Sequence, residues 1–276
     1  MFRVFRLLVQ NGSFLLFVCL QLYCLYLIVQ YNKNQNQVYL YSKQKWALTI
    51  QDKYQSVINY LNLTQKNAEV AAENARLLEK HFLQYEQSRY TGLDSTSQLI
   101  NLYKVIPAVV INNSVTKANN TITINKGGES GIEPGMGVVT AKGVIGIVTD
   151  TTRHYSLVMS LLHTKSKISA KLQRTQFPGT LVWKGFHPEQ LHLEDVQKYA
   201  DVKAHDTIVT SGYSLVFPEG LPIGRVEAFE IPQGAFTYSI QVSLFQNLNT
   251  IEQVYVIGHN YKNEKDQLEK QAEKYE

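Results

Sequence analysis

The stretch Thr121-Ile122-Thr123-Ile124-Asn125-Lys126-Gly127-Gly128 decides the fold class of this chain. Apolar and polar side chains alternate up to Ile124, the pattern of a strand with one buried and one wet face. Lys126-Gly127-Gly128 then ends the strand, because glycine reaches turn conformations closed to other residues. The same grammar recurs further on. Ile168, Ala170 and Leu172 alternate with Ser169 and Lys171, and Ile240, Val242 and Leu244 alternate with Ser239, Gln241 and Ser243. Turn signals separate these runs at Glu133-Pro134-Gly135, Phe177-Pro178-Gly179 and Pro218-Glu219-Gly220. No sustained helical period follows Ile100 until the tail. Many short strands with Gly and Pro turns predict a mainly β head made of closed barrels or a sandwich.

Upstream of the head the grammar changes to helix. Ile50, Tyr54, Val57, Leu61, Thr64, Ala68, Ala71, Ala75, Leu78, Phe82 and Tyr85 are spaced alternately by four and three, the heptad seam of a coiled coil. No Pro or Gly interrupts residues 38–91, and Gly92 with Asp94-Ser95-Thr96-Ser97 supplies the stop. A helix of that length would reach roughly 80 Å. The centre of the seam is Ala-rich and buries little, so a modest dimer is expected. The alternative is a single amphipathic helix packed against its own head.

Further upstream, residues 13–31 form an apolar run without charge, with Tyr23, Tyr26 and Tyr31 toward its C-terminal end. That length suits a transmembrane helix, and tyrosines favour the membrane interface. A cleaved signal peptide would need small residues after its apolar core, whereas Gln30-Tyr31-Asn32-Lys33-Asn34-Gln35 follows here. Arg3 and Arg6 precede the run and Lys33, Lys43 and Lys45 follow it, so charge bias does not orient it. A short cytoplasmic N-terminus with the head translocated is the expected arrangement.

Composition narrows the function. The net charge of +4 over 276 residues is mild and scattered, which argues against nucleic-acid binding. The two cysteines, Cys19 and Cys24, lie in the apolar run, so the head has neither a disulfide nor a cysteine metal site. Gly127-Gly128-Glu129-Ser130-Gly131 lacks the Lys-Ser/Thr ending of a phosphate loop. His187, His192 and Glu194 are the nearest approach to metal-ligand spacing, across a proline-containing loop. No metal or cofactor is expected. Ser211, with His154, His163 and Asp150 upstream, would suit a chymotrypsin-like serine protease. The flanks of Ser211 carry neither Gly-Asp-Ser-Gly-Gly nor Gly-x-Ser-x-Gly. A third class, the adaptor of an envelope export pump, typically inserts a helical hairpin within its β-domain, whereas here the helix precedes the strands.

Several blocks of the head resemble the MreC family of bacterial rod shape-determining proteins. Ile122-Thr123-Ile124-Asn125-Lys126-Gly127, Gly131-Ile132, Gly135-Met136-Gly137-Val138 and Gly143-Val144-Ile145-Gly146-Ile147-Val148 match its first glycine-rich block. Asp206-Thr207-Ile208-Val209-Thr210-Ser211-Gly212 is similar to its Gly-Asp-x-Val-x-Thr-Ser-Gly signature, with His205 where the family usually has Gly. Phe217-Pro218-Glu219-Gly220-Leu221-Pro222-Ile223-Gly224-Arg225-Val226 resembles the segment after it. Stalk residues Tyr60-Leu61, Asn67, Glu73-Asn74 and Leu77 are also similar to the family's stalk.

The resemblance implies two small β-barrels, no catalytic activity, and a single-pass inner-membrane protein with a periplasmic head that scaffolds cell elongation. The implied partners are MreD, MreB, RodA and the elongation-specific penicillin-binding transpeptidase. The expected organisation is a short N-terminus at 1–12, an anchor at 13–31, a stalk at 38–91, a head at 103–258 with a second barrel inserted at about 165–222, and a charged tail at 259–276. The family-motif turns rest on Gly127, Gly131, Gly135, Gly143, Gly146, Thr210, Ser211, Gly212, Pro218, Gly220, Pro222 and Gly224. Phe186, Tyr213, Leu215, Val216, Phe217 and Phe236 sit beside turns rather than in clean alternations, and are candidate partner contacts or ordinary barrel plugs.

Overall fold

A computed structural model describes residues 12–31, 63, 65–87, 102–185, 187–261, 264, 267, 268 and 271. Helix α1, Gly12–Tyr31, covers the apolar run, with Phe14, Leu16, Leu20 and Leu22 exposed along it. Among the described residues no helix is long and apolar enough to cross a membrane. The side chains described in α1 run from 12 to 28.

Twelve strands follow, in two closed six-stranded barrels. The first is β1 (Tyr103–Asn113), β2 (Asn119–Ile124), β3 (Gly137–Thr140), β4 (Gly143–Thr151), β5 (Ser156–His163) and β12 (Gln253–His259), closed in the order β1-β12-β3-β4-β5-β2. The second is β6 (Lys167–Leu172), β7 (Pro178–Val182), β8 (Gln190–Gln197), β9 (Thr207–Thr210), β10 (Pro222–Glu230) and β11 (Thr237–Leu244), closed in the order β10-β11-β8-β7-β6-β9. The alternations named above become β2, β6 and β11. Their apolar positions Ile122, Ile124, Ile168, Ala170, Leu172, Ile240 and Val242 point into the barrels and are buried. Each large aliphatic so buried contributes about 1.5–3 kcal/mol.

The inserted barrel is longer than the 165–222 expected. It continues to Leu244, because β10 pairs with β9 and β11, and β11 pairs with β8. Only β12 returns to the first barrel, where Val105 faces Ile257 and Ala108 faces Val254 across the closing pair.

Helix α2 covers residues 65–87, and its part from Ala75 to Phe82 packs against the first barrel. β2 pairs with β1 only from Val110 to Asn113, which leaves the edge of residues 103–109 open on that side. The backbone N–H of Val105 there donates to Glu79 Oε1 at 2.7 Å, and that of Val109 to Asn125 Oδ1 at 2.8 Å. Phe82 meets the Tyr103 ring edge-on at 5.7 Å, and Ala75 and Phe82 join the head's core. This differs from the expected seam. Ala71, Ala75 and Phe82 are buried, and Leu78 and Tyr85 are half-buried, within one chain, while Ala68 is exposed. Ile50, Tyr54, Val57, Leu61 and Thr64 lie outside the described residues.

Candidate functional site

The segment from Asp206 to Val226 joins the two barrels and is held from both sides. At its start, Asp206 accepts from Arg174 Nε and Nη2, each at 2.9 Å, and from the Lys203 amide at 3.0 Å. The Arg174 guanidinium holds the Asp206 carboxyl below the usual carboxylate range, against the opposing effect of burial. Beside it, His205 has a φ of 69°. The departure from the family's glycine therefore keeps the left-handed backbone that a glycine would adopt freely, at the strain a side chain adds there.

Thr210 then pins the loop across its base. Its hydroxyl donates to the Pro218 carbonyl at 2.5 Å and accepts from the Leu221 amide at 2.9 Å, and its backbone bonds both Gly220 and Leu221. Ser211 is buried, with its hydroxyl 2.7 Å from that of Ser169. Among the described residues no hydrogen bond links Ser211 to a histidine: His154 faces Glu129 at 3.2 Å, and His163 Nδ1 accepts from the Lys165 amide. Asp150 accepts from the adjacent Thr151 amide. The geometry does not assemble the Ser-His-Asp arrangement. Lys171 and Glu219 form a buried ion pair beneath the loop, with Gln176 as a further acceptor for Lys171.

The loop docks onto the first barrel through close backbone approach. A Cβ on Gly137 would lie 2.5 Å from the Phe217 ring and 2.6 Å from the Val216 carbonyl oxygen. A Cβ on Gly143, whose φ is 143°, would lie 2.2 Å from the Pro222 carbonyl oxygen. Thr140 Oγ1 and Gln246 Oε1 are 3.1 Å apart nearby. Gly127, Gly146 and Gly224 likewise face backbone carbonyls that a Cβ would strike, while Gly131, Gly135, Gly212 and Gly220 adopt positive φ. Pro218 lends its carbonyl to Thr210 and Pro222 opens β10.

Phe217 is thus a correction to the expected partner contacts. It is 3% exposed, because it fills the space over Gly137. Leu215 and Val216 are half-buried, and Phe186 lies outside the described residues. Tyr213 and Phe236 are exposed, at 67% and 73%.

Phe236 belongs to an apolar ridge that the sequence reading largely missed. It stands at the β10–β11 hairpin, where Phe229 and Ile231 are also exposed. The Lys198 amide donates to the Phe236 carbonyl at 3.1 Å, and its ammonium sits 5.0 Å from that ring. Neighbouring Tyr199 is exposed and meets Phe177 edge-on. Exposed aromatics beside a cation are a composition found at interaction surfaces. The available signal was Phe229, Ile231 and Phe236 flanking the Pro232–Gly234 turn. A second missed feature is Leu63, Val70 and Leu77, exposed and seven residues apart. Of His187, His192 and Glu194, the nearest approach to metal-ligand spacing in the sequence, Glu194 pairs with Lys184 at 3.0 Å, and among the described residues no group of three or more His, Cys, Asp or Glu could hold a metal ion.

Known proteins match this architecture. Residues 110–258 match the family model described as rod shape-determining protein MreC, barrel core. The cell shape-determining protein MreC of Listeria monocytogenes is 34% identical over 50% of this chain and 48% of its own length, and that of Haemophilus influenzae is 30% identical over 56% and 44%. The chain thus spans about half the length of these curated relatives. A solved MreC structure from Listeria monocytogenes superposes with a TM-score of 0.56 at 26% identity, covering 71% of this chain and 92% of that one. With the match running over both barrels and their joint, the chain belongs to the MreC family of rod shape-determining proteins.

Proposed function

We propose that this chain is a non-enzymatic, membrane-anchored scaffold of the bacterial cell-elongation machinery, acting in the formation and maintenance of cell shape. Family membership supports the process, and the β10–β11 ridge supports the mode of action. A closed barrel presenting Phe229, Ile231, Phe236 and Tyr199 on its surface can hold a partner without rearranging, which lowers the ordering cost of binding. The partner assigned to this ridge is the elongation-specific penicillin-binding transpeptidase. RodA, MreD and MreB complete the membrane assembly.

The uncharged apolar run of residues 13–31 supports the anchor, since about 20 such residues are what a membrane-spanning helix needs. Confinement to the membrane raises the effective concentration of membrane-bound partners, and the head then works in the periplasm. Self-association is assigned to the exposed positions Val70 and Leu77, since the seam from Ala75 to Phe82 is covered by the head. The test is rescue of rod shape in cells depleted of their own copy. Wild type restores rods, and Phe236→Asp leaves round cells although the protein is folded and present.

A further inference from the structure

Strand β8 turns Leu191 and Leu193 into the second barrel and His192 outward, between Val182 of β7 and Gln241 of β11. After β7, buried Trp183 donates its indole N–H to the His187 carbonyl at 2.8 Å. Here lies a pocket of about 280 Å³ lined by Lys184, His187, Gln190, His192 and Gln241.

Among the described residues, the five lining side chains all carry nitrogen and none carries a carboxylate. The nearby acidic groups hold the donors instead: Glu194 lies 3.0 Å from the Lys184 ammonium, and Glu227 accepts from Gln190 at 3.2 Å. His192 lines the pocket, while its Nδ1 atom is buried beneath the surface without a hydrogen-bond partner among the described residues. We propose that this pocket binds a small oxyanion, a carboxylate or phosphate group together with the moiety that bears it.

The protonation of His192 fits such a ligand. Burial, and secondarily Lys184, push its imidazole below the ordinary histidine value, with Glu194 opposing. Lys184 and His187 face it from the β7 side, Glu194 from β8, and Glu227 acts through Gln190 from β10. The imidazole is therefore neutral at neutral pH, and a bound anion favours its charged form. The bound state holds the proton to higher pH than the free state, so affinity rises as pH falls.

The test uses the whole chain in detergent with ring-labelled histidine, the His192 signal being assigned by its loss in His192→Phe. Sodium acetate and sodium phosphate are titrated separately at about pH 6 and about pH 8. The expected result is a saturable shift of the His192 signal with one or both anions, stronger at the lower pH, and weakened about tenfold in Lys184→Met. A response to acetate alone assigns a carboxylate, and to phosphate alone a phosphoryl group. Non-saturating shifts that follow ionic strength, or a response to Zn²⁺ with none to either anion, would overturn the proposal. If His192→Phe loses the wild-type circular dichroism spectrum, Lys184→Met carries the test, and unchanged affinity in that folded variant likewise counts against the site.

Discussion

Phe217 packs its ring over Gly137, at a distance that leaves no room for a Cβ on the glycine. This contact joins the loop before β10 to the first strand of the β3–β4 hairpin, and so joins one barrel to the other. Gly137→Ala is expected to destabilise the head by about 1–3 kcal/mol through overpacking. Phe217→Ala is expected to cost about 3–5 kcal/mol through the cavity it leaves. In the double variant the ring clash is gone but the Val216 carbonyl remains in the way, so the two costs should combine to less than their sum. Denaturant midpoints of the three variants check this.

The Arg174–Asp206 contact makes an acid limb. The Asp206 pKa is depressed in the folded chain by Arg174, so its stabilisation is present above the unfolded carboxylate value and is lost as pH falls through the folded one. Wild type should lose stability below about pH 4. Asp206→Asn should be less stable at neutral pH and lose less over that acid window. Thermal melts across pH measure both.

Ser211→Ala should cost about 1–2 kcal/mol, the loss of the hydroxyl contact to Ser169 and of the bond accepted from the Tyr213 amide, and leave rod-shape rescue intact. A protease built on Ser211 would instead lose all function in this variant. Shape rescue together with a thermal melt distinguishes the two.

The strands were legible in the sequence because their signals are local. A period-two run such as Ile122–Ile124 and a turn such as Lys126-Gly127-Gly128 need no knowledge of the partner strand. Which strands close which barrel was not legible, because the pairing of β11 with β8 joins residues forty to fifty-three positions apart, and no local pattern encodes it. The helix shows the same limit. Ala71, Ala75, Leu78, Phe82 and Tyr85 announce an apolar face, but a second helix and a barrel wall are equally good covers for it. Phe217, placed beside Pro218, looked like a loop residue free to meet a partner. The small partner that buries it, Gly137, stands eighty residues away in sequence.

The exposed helix stripe predicts where protomers meet. In a chain with Cys19 and Cys24 replaced by Ser, Val70→Cys should form a covalent dimer under mild oxidation. Ala75→Cys should not, because Ala75 is covered by the head. Crosslinking through Ala75 instead would return the dimer to the original seam.

Co-purification from detergent-solubilised membranes tests the central claim most directly, comparing wild type with Phe236→Asp. A charge in the middle of an apolar contact abolishes binding without touching a core that excludes Phe236. The elongation-specific transpeptidase should be recovered with wild type and lost with Phe236→Asp while the head stays folded. Equal recovery with both would remove the ridge as its contact, and recovery of no cell-wall synthesis protein even with wild type would contradict the scaffold itself.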